Sequence, residues 1–165
     1  MNDTLNVENT RERNASVKYP QQKGRTSRGS RTFNRPPYKM AWSWLTAELL
    51  NSVSWRSMSV NCRKLIDRLL LEHCNHAGLE NGGLICTYNH FQEYGLTRNK
   101  IRPAIEEADF LGLVKNQQGE RIFARNHPNS YRLTFYGTKD AKDPTNEWKR
   151  ITKERIDSFR SKKRE

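Results

Sequence analysis

Three clusters in this sequence hold side chains that could do chemistry. His73-Cys74-Asn75-His76, with Cys62 upstream, offers metal ligands. Cys86 and His90 offer a nucleophile and a base, and Glu106-Glu107 offers paired carboxylates. Each fails on spacing. On one helix, residues 73 and 76 share a side while 74 lies about 100° away, and the CxxC pairs that close strong zinc sites are missing. His73 and His76 instead suit a helix C-terminus, where the dipole favours imidazolium. No third group orients His90 as a base, and adjacent helical carboxylates point apart. No GxxxxGK[ST] loop is present. The sequence therefore predicts no cofactor, no metal and no enzymatic activity.

A different kind of chemistry is concentrated at Thr97-Arg98-Asn99-Lys100 and Arg102, where donors and cations crowd within six residues. Such a set binds polyanions and base edges without breaking bonds. The whole chain fits that partner. Its 165 residues carry 30 basic and 18 acidic side chains, formally +12, and only 34% of it is apolar. Residues 1–39 carry nine basic and three acidic side chains, residues 40–137 eleven and nine, and residues 138–165 ten and six, so most of the excess lies outside the middle segment.

Those differences divide the chain. Residues 1–39 are polar, rich in Gly, Ser, Arg and Pro, and close with Pro36-Pro37. They cannot bury enough apolar area to offset about 1–2 kcal/mol of backbone ordering per residue, and they are expected to form a disordered basic arm. Arg25, Arg28, Arg31 and Arg35 in it suit a phosphate or minor-groove clamp; a solubilising tail fits equally well. Residues 40–137 are expected to form the folded domain, and residues 138–165 a basic C-terminal helix or tail.

Within the middle segment, Trp42, Leu45, Leu49 and Val53, with Ala41, Trp44 and Leu50 beside them, have helical spacing and predict a supporting helix. Ser59 is an N-cap residue for a helix that buries Cys62, Leu65, Ile66, Leu69, Leu70 and Ala77, with Gly78 as the left-handed residue at its end. Glu80-Asn81-Gly82-Gly83 reads as a turn and residues 84–88 as a strand. A short helix follows over about 89–94, ended by Gly95. Thr97 then caps a helix whose Ile101, Ala104, Ile105, Ala108 and Leu111 form one buried stripe, stopped by Gly112. The strand 113–117, the polar loop 118–129 and the alternating strand 130–136 complete the pattern.

The segment Phe91-Gln92-Glu93-Tyr94-Gly95-Leu96-Thr97-Arg98-Asn99-Lys100-Ile101-Arg102-Pro103-Ala104-Ile105 resembles the helix-turn-recognition-helix of bacterial winged-helix proteins. Leu111-Gly112-Leu113-Val114 is similar to the helix-to-wing junction of GntR- and MarR-type repressors and of mobile-element replication initiators. The resemblance covers residues 59–137. It implies a mainly α fold with a small antiparallel β wing (α+β), a winged helix-turn-helix with extra N- and C-terminal helices. It also implies duplex DNA as the partner, in transcriptional regulation, replication or recombination.

A helix that begins with Arg98, Asn99, Lys100 and Arg102 and ends with Glu106, Glu107 and Asp109 has the polarity of one entering a major groove by its N-terminus. Arg98 or Arg102 suits guanine and Asn99 adenine. The loop with Arg121, Arg125 and His127, and Arg132 after it, would be a wing on phosphate or the minor groove; an ordinary charged hairpin is the other reading. Pro103 conflicts with the pattern, since in the second turn it removes a backbone bond. Either the helix starts late or its first turn bends.

Residues 143–165 begin with Asp143-Pro144, a helix-start signal. Their sparse apolar face of Trp148, Ile151, Ile156 and Phe159 fits a phosphate-contacting helix, a dimerisation helix or an extension of the core. A protein-interaction module and RNA binding through the arm are the rival functions. A homodimer is compatible with all of these. No apolar run is long enough to span a membrane, and no secretory signal is apparent. The cysteines, odd in number, suit reduced thiols. The expected location is the cytoplasm, associated with the nucleoid.

Overall fold

The computed structural model of the chain describes residues 41–119, 121–122, 125–126 and 128–162. The arm with Arg25, Arg28, Arg31 and Arg35, and His127 of the loop, lie outside the described residues.

The single supporting helix expected from Met40 is instead two short ones, α1 (Ala47–Asn51) and α2 (Val53–Arg56). Ser52 separates them with an extended ψ of 152°, and its hydroxyl oxygen accepts from Trp55 N at 3.1 Å. A serine hydroxyl bonded to the local backbone competes with helix continuation, which is why the apolar spacing alone misjudged this stretch. Trp42 and Trp44 are 60% and 46% exposed, while Leu49 and Trp55 are buried. Trp44 still meets the domain, edge-on to Tyr136 at 4.8 Å, and its carbonyl accepts from the Tyr136 hydroxyl.

Helix α3 (Val60–Asn75) starts as its sequence implies, with the Ser59 hydroxyl accepting from Cys62 N at 3.2 Å. Cys62, Leu65, Ile66 and Leu69 are buried and Leu70 is half-buried. The stripe then continues to His73 and not to Ala77. Ala77 is exposed and takes φ 52°, Gly78 is left-handed as expected at φ 77°, and Ala77 N donates to the Cys74 carbonyl and Gly78 N to the His73 carbonyl. These two bonds close the helix end.

His73 is therefore no solvated imidazolium at a helix end. It is 5% exposed and stacks on Tyr136 with ring centroids 4.4 Å apart. Burial holds its pKa below the ordinary 6.5. The unfolded chain then binds more protons than the folded one in the window just below pH 6.5, so stability rises with pH there. That contribution is complete above 6.5 and is lost as pH falls through the folded value. Thermal melts should show the melting temperature of the wild type dropping as pH falls from about 7 to about 5, with a shallower drop in His73→Phe. Equal slopes for the two proteins would refute the assignment.

The remaining elements are β1 (Leu84–Ile85), α4 (Tyr88–Glu93), α5 (Arg98–Phe110), β2 (Val114–Gln117), β3 (Arg121–Ile122), β4 (Arg125–Asn126) and β5 (Ser130–Leu133). Strands β1, β5 and β2 form one antiparallel sheet in that order, with Leu84 and Asn116 both opposite Tyr131, and Val114 opposite Leu133. The strand expected over 84–88 is shorter because Thr87 caps α4. Its hydroxyl accepts from His90 N, and its own amide donates to His90 Nδ1, each at 3.4 Å. The stretch read as a plain loop over 118–129 contains the paired ribbon β3–β4. The strand expected to reach Tyr136 ends at Leu133, after which Phe135 and Tyr136 turn into the core.

One core joins these parts. Helices α3 and α5 pack on each other and on the sheet through Leu65, Leu69, Ile101, Ala108, Leu113, Val114 and Leu133. The C-terminal segment belongs to it. After Asp143-Pro144 the chain makes a 3-10 turn (Glu147–Arg150) and then α6 (Lys153–Lys162), later than the Asp-Pro signal implied. Trp148 and Ile156 are buried in that same core, and Phe159 stacks on Phe110 of α5 at 4.0 Å and 8°. Of the three readings of this segment, the geometry displays the core extension. The fold is α+β, mostly helical with a small antiparallel sheet. Among the described residues no helix is long and apolar enough to cross a membrane.

Candidate functional site

Helix α5 runs from Arg98 to Phe110, and its buried face is Ile101, Ala104, Ile105 and Ala108 with Leu111 following. This is the stripe that the spacing predicts. It leaves Thr97, Arg98, Asn99, Lys100 and Arg102 all exposed at the N-terminal end. Two contacts hold that end in place. Gly95, at φ 91°, turns the chain between α4 and α5, and its carbonyl accepts from Lys64 Nζ of α3 at 2.9 Å. Gly95 N and Leu96 N donate back to the Gln92 and Phe91 carbonyls, which closes α4 in one tight turn.

The exposed face has no acidic residue in its first turn. Its three cations oppose the helix dipole, a small cost that an anion at this end would reverse. The first four amides of any helix lack intrahelical partners, which adds donors pointing the same way. Arg98 lies over the Tyr88 ring of α4, 5.9 Å from its centroid. Arg102 Nε pairs with Glu106 at 2.9 Å, but the two side chains are 82% and 48% exposed. A pair so exposed is worth roughly 0.3–0.5 kcal/mol, so Arg102 is released at little cost when a stronger anion arrives.

Two expectations at this helix need correction. The Thr97 hydroxyl makes no cap hydrogen bond; the turn is closed by Lys100 N donating to the Thr97 carbonyl at 2.8 Å, and Thr97 is exposed. The helix does not start late to avoid Pro103. It begins at Arg98 and passes through Pro103, whose missing N–H leaves the Asn99 carbonyl without its intrahelical donor. Packing of the stripe on α3 outweighs the lost bond.

The acids at the far end are each engaged. Glu107 turns toward α3, where it accepts from Ser59 N at 2.8 Å and from the Ser59 hydroxyl at 2.5 Å. Glu106 points the other way, as adjacent helical positions require. Asp109 pairs with Lys115 at 3.2 Å. The helix is thus polarised: open cations at its start, occupied carboxylates at its end.

Arg121 and Arg125 fall on the β3–β4 ribbon, opposite Asn126 and Ile122. Arg132, expected among the outward wing cations, is elsewhere. It lies opposite Lys115 in the sheet and donates to Thr145 at 2.8 Å and to Glu147 at 3.2 Å, with its side chain 23% exposed. Lys115 reaches Glu147 as well, at 3.0 Å. Burial pushes the Glu147 pKa up, but Lys115 and Arg132 together hold it below the usual carboxylate value. This network fastens residues 145–147 to the sheet and engages the Arg132 guanidinium within the fold. Spacing cannot reveal it, because Asp109, Lys115, Arg132 and Glu147 meet only in three dimensions. The bonds of Asn81 to the end of β5 and of Ser59 to Glu107 are missed in the same way, although Ser59 is recognised as a helix cap.

The rejected chemical clusters take definite positions. Burial pushes the Cys86 thiol up to about 11, so it stays protonated at neutral pH and is a poor nucleophile. Among the described residues no group of three His, Cys, Asp or Glu side chains converges where a metal could be held. Comparison of the chain with family models, with curated proteins and with solved structures gives no match.

Proposed function

We propose that this chain binds duplex DNA through a winged helix-turn-helix, with α4 and α5 as the paired helices, α5 in the major groove and the ribbon between β2 and β5 as the wing. The observation that carries the reading is the polarised face of α5, where Arg98, Asn99, Lys100 and Arg102 are exposed at one end while the opposite face is wholly buried. The element order and the sheet order β1-β5-β2 support the same reading. In it, Arg98 and Arg102 read guanine edges, Asn99 reads adenine, and Lys100 and the ribbon arginines meet phosphate. The arm arginines Arg25, Arg28 and Arg31 add affinity with little specificity. The role is that of a transcriptional regulator or a replication or recombination accessory factor in a bacterial or mobile-element system, without enzymatic activity.

Duplexes selected from a random pool and measured by fluorescence anisotropy test it. Specific sites should bind with dissociation constants of about 10⁻⁸–10⁻¹¹ M. Arg102→Ala or Asn99→Ala should each cost about 1–3 kcal/mol and relax preference at one base pair. Lys100→Ala should weaken every duplex alike and flatten the salt slope by about one. Absence of binding to any duplex at low salt, or preferential binding of structured RNA, would overturn the reading.

One observation favours a protein partner as a second reading. Trp42, Trp44, Leu50 and Val53 are 60%, 46%, 40% and 41% exposed within a short stretch. Clustered large apolar side chains in water mark surfaces that other proteins or a second copy cover. Capture of partners in nuclease-treated lysate, and sedimentation of the pure protein, separate the two arrangements.

A further inference from the structure

A cleft of about 350 Å³ lies between the N-terminus of α3, the C-terminal end of α5 and α6. That volume falls within the range of small-ligand sites. Its apolar lining is Phe110, Leu111, Ile156 and Phe159, with the Phe110 and Phe159 rings stacked on each other. Two groups of opposite charge complete it, the Glu107 carboxylate and the Arg160 guanidinium. We infer that this cleft binds a free α-amino acid with an apolar side chain, its ammonium toward Glu107, its carboxylate toward Arg160 and its side chain against the apolar lining of Phe110, Leu111, Ile156 and Phe159.

The charge arrangement selects this class of ligand. A hydrocarbon would leave both charges unused, an amine would meet only Glu107, and an acid only Arg160. A zwitterion satisfies both, and charge-assisted bonds at each end fix its orientation. Both charged groups are already steadied by the protein and still have capacity. Glu107 accepts one bond on each oxygen from Ser59, which leaves a lone pair on each for an ammonium. Arg160 Nη2 donates to the Ser57 carbonyl at 2.6 Å, which leaves further guanidinium donors for a carboxylate. The ligand would find its recognition groups oriented before it binds, which lowers the entropic cost of holding it.

The site lies on the opposite end of α5 from the arginines assigned to DNA, so its test needs no DNA. Leucine and phenylalanine would be titrated into the ¹⁵N-labelled full chain, with phenethylamine and phenylpropionate as ligands that lack one charge each. The expected result is saturable shifts of the amides of residues 107–111 and 156–160, with each half-charged analogue at least about tenfold weaker. Arg160→Ala, at an exposed position, should weaken phenylalanine by about the same factor while leaving the melting temperature unchanged. Glu107→Gln, which keeps one acceptor for Ser59, should do so without affecting phenylpropionate. No shift in these residues up to about 10 mM amino acid, or equal binding of the analogues, would overturn the proposal. Either result would leave the DNA reading standing, because that reading rests on the other end of the helix.

Discussion

Replacing Gly112 by alanine is expected to remove about 2–5 kcal/mol of stability, a large share of what a domain of this size possesses. Gly112 follows α5 at φ 67°. Its amide donates to the Asp109 carbonyl and Leu113 N to the Ala108 carbonyl, the pair of bonds that ends a helix through a left-handed residue. A side chain there costs about 1–2 kcal/mol for conformation alone. Space makes it worse: a Cβ would sit 2.8 Å from both Glu147 C and Trp148 N, which are backbone atoms and cannot rotate away. Either the 3-10 turn lifts, taking Trp148 out of the core, or the junction of α5 with β2 opens. Overpacking of this kind costs about 1–3 kcal/mol more. Denaturant titration of Gly112→Ala beside Gly83→Ala checks the argument. At Gly83 the nearest atom to an added Cβ is the end of the flexible Lys139 side chain at 3.1 Å, and the loss should be small. Similar midpoints for the two variants would show that the contact with the 147–148 backbone does not matter.

Asn81→Ala is expected to cost about 3 kcal/mol or more. The Asn81 side chain is fully buried beneath the end of β5. Its amide nitrogen donates to the carbonyls of Leu133, Tyr136 and Gly137 at 2.9, 3.1 and 2.9 Å, and its oxygen accepts from Leu133 N at 2.8 Å. Alanine would take a partner from four backbone groups, of which the Leu133 carbonyl keeps Tyr136 N as a donor at 3.4 Å, and each buried group left unpaired costs about 1–3 kcal/mol. Partial relaxation and water entry keep the total below that sum. Asn81→Asp is a sharper test of geometry. It keeps the acceptor for Leu133 N but turns a carboxylate oxygen toward three carbonyls, so the variant should lose stability steadily as pH rises and the carboxyl ionises. A pH-independent Asn81→Asp variant would contradict the arrangement.

Both substitutions loosen the sheet that carries the proposed wing, yet neither residue is placed on DNA. Lesions of stability and lesions of binding should therefore separate. Gly112→Ala and Asn81→Ala should lower the melting temperature, whereas Arg98→Ala and Arg102→Ala should leave it nearly unchanged and weaken duplex binding.

The chain's periodic stretches are legible in its sequence. Ile101, Ala104, Ile105 and Ala108 recur at the helical repeat, and a helix with one greasy stripe has a single way to bury it. The exposure of Arg98, Asn99, Lys100 and Arg102 follows from that geometry. Gly95 and Gly112 mark the two ends of the same region because few other residues adopt a positive φ at low cost. The stretch from Met40 was misjudged because Ser52 and Thr46 cap short helices with their own side chains, a local hydrogen-bonding choice that apolar spacing does not record.

What the amino-acid order settled alone is therefore local: where helices α3, α4 and α5 lie, which face of α5 is buried, and that its free end is cationic. Those properties depend on neighbours three and four residues apart, whose relative positions a helix dictates. Tertiary structure alone decided that Arg132 is tied to Glu147, that Asn81 secures β5, that His73 is buried on Tyr136, and that α6 closes a cleft against Phe110. Each of these joins residues distant in the chain, and only the packing of the core brings such partners within reach of a bond a few ångströms long.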